Sequence, residues 1–191
     1  MLRYVLLVFF TAVIVLYALP QTFGKTITCH IGSCIGTDDD DVMTAVDTGP
    51  GNHNIEGRGG DDVIHGSLIK DQIEGGEGND KIFGSNGEDN LKGGPGNDKI
   101  DGGAEHDLIY GDQGNDFLTG ADGDDGIQGG DGSDRIFGGK GHDKIVTNKL
   151  FEQDFTKDFV NCGSSTDLVT LRSSDGDTAD SNCETIDDGD G

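Results

Sequence analysis

The chain has 191 residues and a formal net charge of -24, with 37 Asp and Glu against 13 Lys and Arg, a balance that excludes nucleic acid and anionic membranes as partners and attracts cations. Hydrophobic residues make up 32%, aromatics 6%, Trp is absent and there are 34 Gly, too little apolar surface for an ordinary core to offset chain entropy. Either the chain is disordered or something besides a core orders it, as a bound metal does when its binding free energy becomes folding free energy.

Residues 1–24 read as an export signal. Arg3 supplies the positive start, Tyr4 to Leu19 is an apolar run, and Thr22-Phe23-Gly24 offers small residues at both ends of a cleavage tripeptide, so the mature chain is expected to begin near Lys25. The run has 16 residues, whereas a spanning helix needs about 20. Secretion is therefore the expectation, and anchoring by an uncleaved N-terminal helix the alternative.

Residues 25–47 are expected to cap the start of the fold through Ile27 and a Cys29–Cys34 loop. All four cysteines lie in the exported part, and an even count there points to disulfides. Three pairings are possible. Cys29–Cys34 with Cys162–Cys183 is favoured, because each then staples one end of the chain. A zinc site using His30 lacks a second close cysteine–histidine group to complete four ligands.

From Thr48 to Val146 the chain repeats every nine residues. Glycine recurs without a slip at 57, 66, 75, 84, 93, 102, 111, 120, 129 and 138. In the unit Gly93-Gly94-Pro95-Gly96-Asn97-Asp98-Lys99-Ile100-Asp101, position one is Gly, position four usually Gly, position six Asp and position eight aliphatic. Position eight reads Ile55, Ile64, Ile73, Ile82, Leu91, Ile100, Ile109, Leu118, Ile127, Ile136 and Ile145. Position six reads His53 and then Asp62, Asp71, Asp80, Asp89, Asp98, Asp107, Asp116, Asp125, Asp134 and Asp143. An outlying unit at 36–44 places Asp41 and Met43 at the same positions. Residues 147–191 carry two degenerate units, with Asp158/Val160 and Asp167/Val169. They also hold Phe151, Phe155, Phe159, Leu168 and Leu171, expected to cap the far end.

These units resemble the RTX, or haemolysin-type, calcium-binding repeat, whose pattern is G-G-x-G-x-D-x-U-x. The resemblance implies an all-β fold, a right-handed parallel β-roll of two sheets in which each unit is a loop followed by a very short strand. It also implies several Ca²⁺ ions, each between two loops stacked 18 residues apart. Position eight would point inward, and glycine would let the loop reverse through positive φ. Calcium takes oxygen from carboxylates and from carbonyls. The expected ligands are therefore Asp62, Asp80, Asp98, Asp116 and Asp134 on one edge, and Asp71, Asp89, Asp107, Asp125 and Asp143 on the other. Carbonyls would come from Gly57, Gly60, Gly75, Gly78, Gly93, Gly96, Gly111, Gly114, Gly129 and Gly132. Without a counter-ion the stacked carboxylates repel, so calcium is expected to fold the chain.

The edges differ in sequence. His53, Ile69 and Glu105, the serious departures from the pattern, all fall on the second edge. A β-branched residue such as Ile69 suits positive φ poorly, so the second edge is expected to bind calcium less well.

No H-E-x-x-H or G-x-S-x-G motif occurs, and the segments outside the array are too short for a catalytic domain, so the chain is read as a non-enzyme. An EF-hand fails because no glycine follows Asp175 and Asp177 at the required place. Position three never carries Thr, which argues against an ice-binding ladder. The competing function is surface or matrix adhesion. His65, Lys81, Phe83, Lys99, Phe117, Arg135 and Phe137 lie at outward positions after the first edge and could bind an acidic polysaccharide. A monomer is expected.

Overall fold

A computed structural model describes residues 24–46, 51–147, 156–171 and 176–187. Residues 1–23 of the expected export signal, Thr48, Phe151 and Phe155 lie outside them. Successive strands alternate between two parallel sheets of nine strands each among the described residues. The first sheet runs from Thr26–Cys29 to Thr178–Ala179, the second from Gly32–Ile35 to Thr185–Asp187. The chain is a two-sheet β-roll.

Register follows the repeat. In the first sheet Ile64, Ile82, Ile100, Leu118, Ile136 and Val160 are successive partners. In the second, Ile55, Ile73, Leu91, Ile109, Ile127, Ile145 and Val169 are. Every one of them is at most 2% exposed, so the core is a file of single aliphatic side chains from each sheet. Met43 heads the first file and is fully buried. The degenerate units continue both files, across insertions that lengthen the step from Asp134 to Asp158 to 24 residues.

The strands are longer than the repeat pattern predicts. Lys99–Ala104 and Leu108–Gln113 each run six residues, from position seven through position three of the next unit. The reversal is therefore confined to positions four to six. Side chains at six and eight, with the Cα at position one, line the interior, while seven and nine face out.

Glycine at position one is required by space and not by φ. Position-one glycines are absent from the left-handed region. A Cβ added at Gly93 would lie within 3.0 Å of both Asp98 Oδ2 and Gly111 O. Positive φ belongs to positions two and four. Gly94 and Gly96 take +113° and +152°, and Arg58, Ser85, Asp112 and Ala121 accept +78° to +86° at position two.

The ends are covered as the sequence leads one to expect only in part. Disulfides join Cys29 to Cys34 and Cys162 to Cys183, with Cα–Cα distances of 5.5 and 5.2 Å. Ile27 packs on the core, and Val169 and Leu171 are buried in it. Phe159 and Leu168 instead sit on the outer faces, 37% and 41% exposed. Each occupies position seven of its unit, so strand alternation turns it outward.

Candidate metal centre

The position-six carboxylates stack into two files, one along each edge of the roll. On the first edge the Asp41 N–H donates to Asp62 Oδ1 at 2.7 Å, Asp62 to Asp80, Asp80 to Asp98 and Asp98 to Asp116 at 2.8 Å, and Asp116 to Asp134 at 2.9 Å. On the second edge the file runs Asp71, Asp89, Asp107, Asp125, Asp143, Asp167, with N–H to Oδ1 distances of 2.7–2.9 Å. All these side chains are at most 2% exposed. One oxygen of each carboxylate from Asp62 and Asp89 onward thus locks the preceding turn in register.

The other oxygen is left over. Oδ2 of Asp62, Asp80, Asp89, Asp98, Asp107, Asp116, Asp125, Asp143 and Asp167 is buried with no hydrogen-bond partner. A buried, unpaired carboxylate oxygen is costly unless a proton or a cation meets it. Burial therefore pushes these groups up: Asp89 and Asp98 to about 8, Asp107 and Asp143 to about 7, Asp62 and Asp116 to about 6.

Apart from Asp167, whose turn has Cys162 at position one, each such oxygen sits over the position-one glycine of its own turn, and the next turn's position-one carbonyl points into the same space. At Gly57 these neighbours are Asp62 Oδ2 and Gly75 O, at Gly75 Asp80 Oδ2 and Gly93 O, and at Gly111 Asp116 Oδ2 and Gly129 O. Position-four carbonyls stack likewise, with Gly60 O aimed at the Cα of Gly78, Gly78 O at Gly96, Gly96 O at Gly114 and Gly114 O at Gly132. Among the described residues no three His, Cys, Asp or Glu side chains converge. A cation here must take a mixed set of carboxylate and carbonyl oxygens, which is the donor set of a hard ion such as Ca²⁺ and unlike that of zinc. The residues present fit calcium.

Two turns are built differently, one on each edge. At Gly36–Asp41 the Thr37 N–H and Oγ1 both donate to Asp41 Oδ2, at 2.7 and 3.0 Å. At Gly66–Asp71 the Ser67 N–H and Oγ donate to Asp71 Oδ2, at 2.6 and 2.9 Å. His53 Nδ1 lies 2.7 Å from Asp71 Oδ1. Neither Asp41 nor Asp71 retains an orphaned oxygen, in contrast to the file that follows each. Residues 37, 39, 67 and 69 also stay out of the left-handed region.

The three departures on the second edge therefore have different consequences. Ile69 belongs to the altered turn, and His53 bonds to its carboxylate from the turn before. Glu105 is accommodated: it takes φ +80°, and Asp107 Oδ2 in its turn is orphaned like the rest. The second edge is disturbed at its start and regular from Asp89 onward. Thr37 and Ser67 were not anticipated from the sequence. The available signal was a hydroxyl at position two together with a residue other than glycine at position four.

A parallel β-roll with buried carboxylate files and carbonyl-rich turns is a cation-binding repeat protein. The family model for the RTX calcium-binding nonapeptide repeat (4 copies) matches residues 47–82, 56–91, 69–100, 83–118, 92–127 and 119–148. Together these cover more than half of the chain, which belongs to that family and is a calcium-binding repeat protein. No curated protein matches the chain at a significant level.

Proposed function

We propose that this is an exported, monomeric, non-catalytic protein that folds when calcium enters both carboxylate files. The ions would be held by the position-six aspartates with position-one and position-four carbonyls, Asp98 and Asp107 being central examples. The buried Oδ2 atoms without partners carry this reading, since a divalent cation satisfies them and removes repulsion along the file. No helix among the described residues is long and apolar enough to cross a membrane. Circular dichroism of the oxidised mature protein tests the proposal. Chelator should leave the repeats largely unstructured, and calcium on the order of 10⁻⁴ to 10⁻³ M should restore β signal, that being the range of exported modules. Identical spectra would refute it.

A second reading, adhesion to an acidic polysaccharide, is favoured by one feature of the first sheet's outer face. His65 stacks on Phe83 with centroids 4.9 Å apart, and Phe117, Phe137 and Phe159 form a chain at 5.1 and 6.3 Å. Lys99 Nζ lies 5.7 Å from the Phe117 centroid, and Lys81 and Arg135 flank this stripe. Rings and cations together suit a ligand with sugar faces and carboxylates. In calcium, retention on an alginate column that Phe117→Ala and Lys99→Glu both weaken would support it; no retention of the parent would exclude it.

A further inference from the structure

We infer that the turns at Gly36–Asp41 and Gly66–Asp71 exclude calcium, because a serine or threonine hydroxyl at position two occupies the carboxylate oxygen that an ion would use. This rests on the calcium reading above and divides the position-six aspartates into two kinds.

The two turns lie on opposite edges and repeat one hydrogen-bond pattern. Thr37 Oγ1 reaches Asp41 Oδ2, accepts from the Asp39 N–H at 3.3 Å and lies 3.5 Å from Asp39 O. Ser67 Oγ reaches Asp71 Oδ2, accepts from the Ile69 N–H at 3.3 Å and lies 3.2 Å from Ile69 O. Each is a closed turn in which position two, bonded forward to position six, has left the left-handed conformation seen elsewhere. The carboxylate then has full hydrogen bonding from the protein, so a cation arriving there would have to displace two donors to gain one oxygen.

The hydroxyl alone does not close a turn. Ser85 also stands at position two, in Gly84–Asp89, yet it takes φ +85° and Asp89 Oδ2 stays orphaned. The difference is position four. Gly87 there takes φ +117°, whereas the closed turns carry Asp39 and Ile69. A β-branched residue resists positive φ, so Ile69 drives its turn into the one alternative that Ser67 can stabilise. Glu105 shows the converse: it stands at position four, but position two of its turn is Gly103, at φ +112°, with no hydroxyl to offer. Closure needs both features.

The experiment counts calcium ions per chain by native mass spectrometry, at saturating calcium, on the full oxidised mature protein. The variants are Ile69→Gly, Ser67→Gly/Ile69→Gly and Ser67→Ala, with folding in calcium checked by circular dichroism. Either glycine variant should carry one ion more than the parent, and the double variant serves if the single one does not fold. Ser67→Ala removes the hydroxyl, one of the two features that closure needs, and should not fall below the parental count, because no ligand is lost. Glycine variants that fold with the parental number of ions would overturn the inference. So would loss of an ion in Ser67→Ala, which would make Ser67 a ligand. A parent chain that binds no calcium at all would instead remove the calcium reading itself.

Discussion

Asp98→Asn separates the two oxygens of one carboxylate. Asp98 Oδ1 accepts the Asp80 N–H at 2.8 Å, while Oδ2 is buried without a partner. Asparagine keeps the shape and the Oδ1 acceptor but carries no charge and supplies an N–H₂ in place of Oδ2. Without calcium the substitution removes an unfavourable group. Burial raises Asp98 from 3.8 to about 8, and at about 1.4 kcal/mol per pK unit this caps the gain on the order of 5 kcal/mol. Leaving the amide N–H₂ unpaired returns about 1–3 kcal/mol, so the metal-free fold should gain a few kcal/mol. With calcium the gain is offset. An ion at about 100 times its Kd contributes about 2.7 kcal/mol, and a site deprived of its anionic ligand forfeits most of that. Far-UV circular dichroism in chelator should therefore show more β structure than the parent, and saturating calcium should raise the urea midpoint by less than it raises the parent's. A variant less folded than the parent in both conditions would mean that the carboxylate is purely structural, and would refute the reasoning.

The raised carboxyls bind more protons folded than unfolded. The stability they contribute is complete below about pH 4 and lost as pH rises through the 6–8 range of their folded values; acid should therefore partly replace calcium, which circular dichroism of the chelated protein from pH 8 to 4 would record. Gly93→Ala puts a Cβ against Asp98 Oδ2 and Gly111 O and should cost about 1–3 kcal/mol as overpacking. Gly126→Ala, which meets only the Leu108 Cδ2 end at 2.9 Å and Asp107 O at 3.9 Å, should stay within about 0.5 kcal/mol in the same urea titration. Peptide mapping without reduction should recover Cys29–Cys34 and Cys162–Cys183, and replacing both Cys162 and Cys183 by Ser should cost about 2–4 kcal/mol, read as a lower urea midpoint in calcium.

The nine-residue period made the strand register, the aliphatic files and the aspartate files legible, because in a solenoid residues one full turn apart must stack. Ile100 could be placed in the interior, and Asp98 in a stacked file along an edge, from the repeat. The reason for the first glycine was not legible. Gly93 faces a carboxylate folded back from its own turn, a contact made in three dimensions that resembles, in sequence, any other glycine preference. The two closed turns were hidden for a different reason. Ser67 and Ser85 occupy the same position and differ only in what Ile69 and Gly87 permit two residues later, so the outcome depends on a pair and is invisible in either column of the repeat. Ile69 and Glu105 likewise look like equal departures, yet only Ile69 has a hydroxyl partner able to reshape its turn.

The interior of this roll alternates Asp, aliphatic and glycine, so only one apolar side chain in nine points inward. A core that thin cannot also absorb a file of unpaired carboxylate oxygens on each edge, and a proton or a cation must complete them. The closed turns show the protein's own alternative: a hydroxyl and an N–H from position two satisfy the same oxygen. Both lie at the N-terminal end, beside the Cys29–Cys34 link and the His53–Asp71 pair. The orphaned oxygens begin at Asp62 on one edge and Asp89 on the other, and run to Asp116 on the first and Asp167 on the second. On the proposed reading, dependence on calcium rises along the chain. The N-terminal coils are closed by protein groups alone, and each later coil stacks on a file whose charge only an external ion or a proton can neutralise.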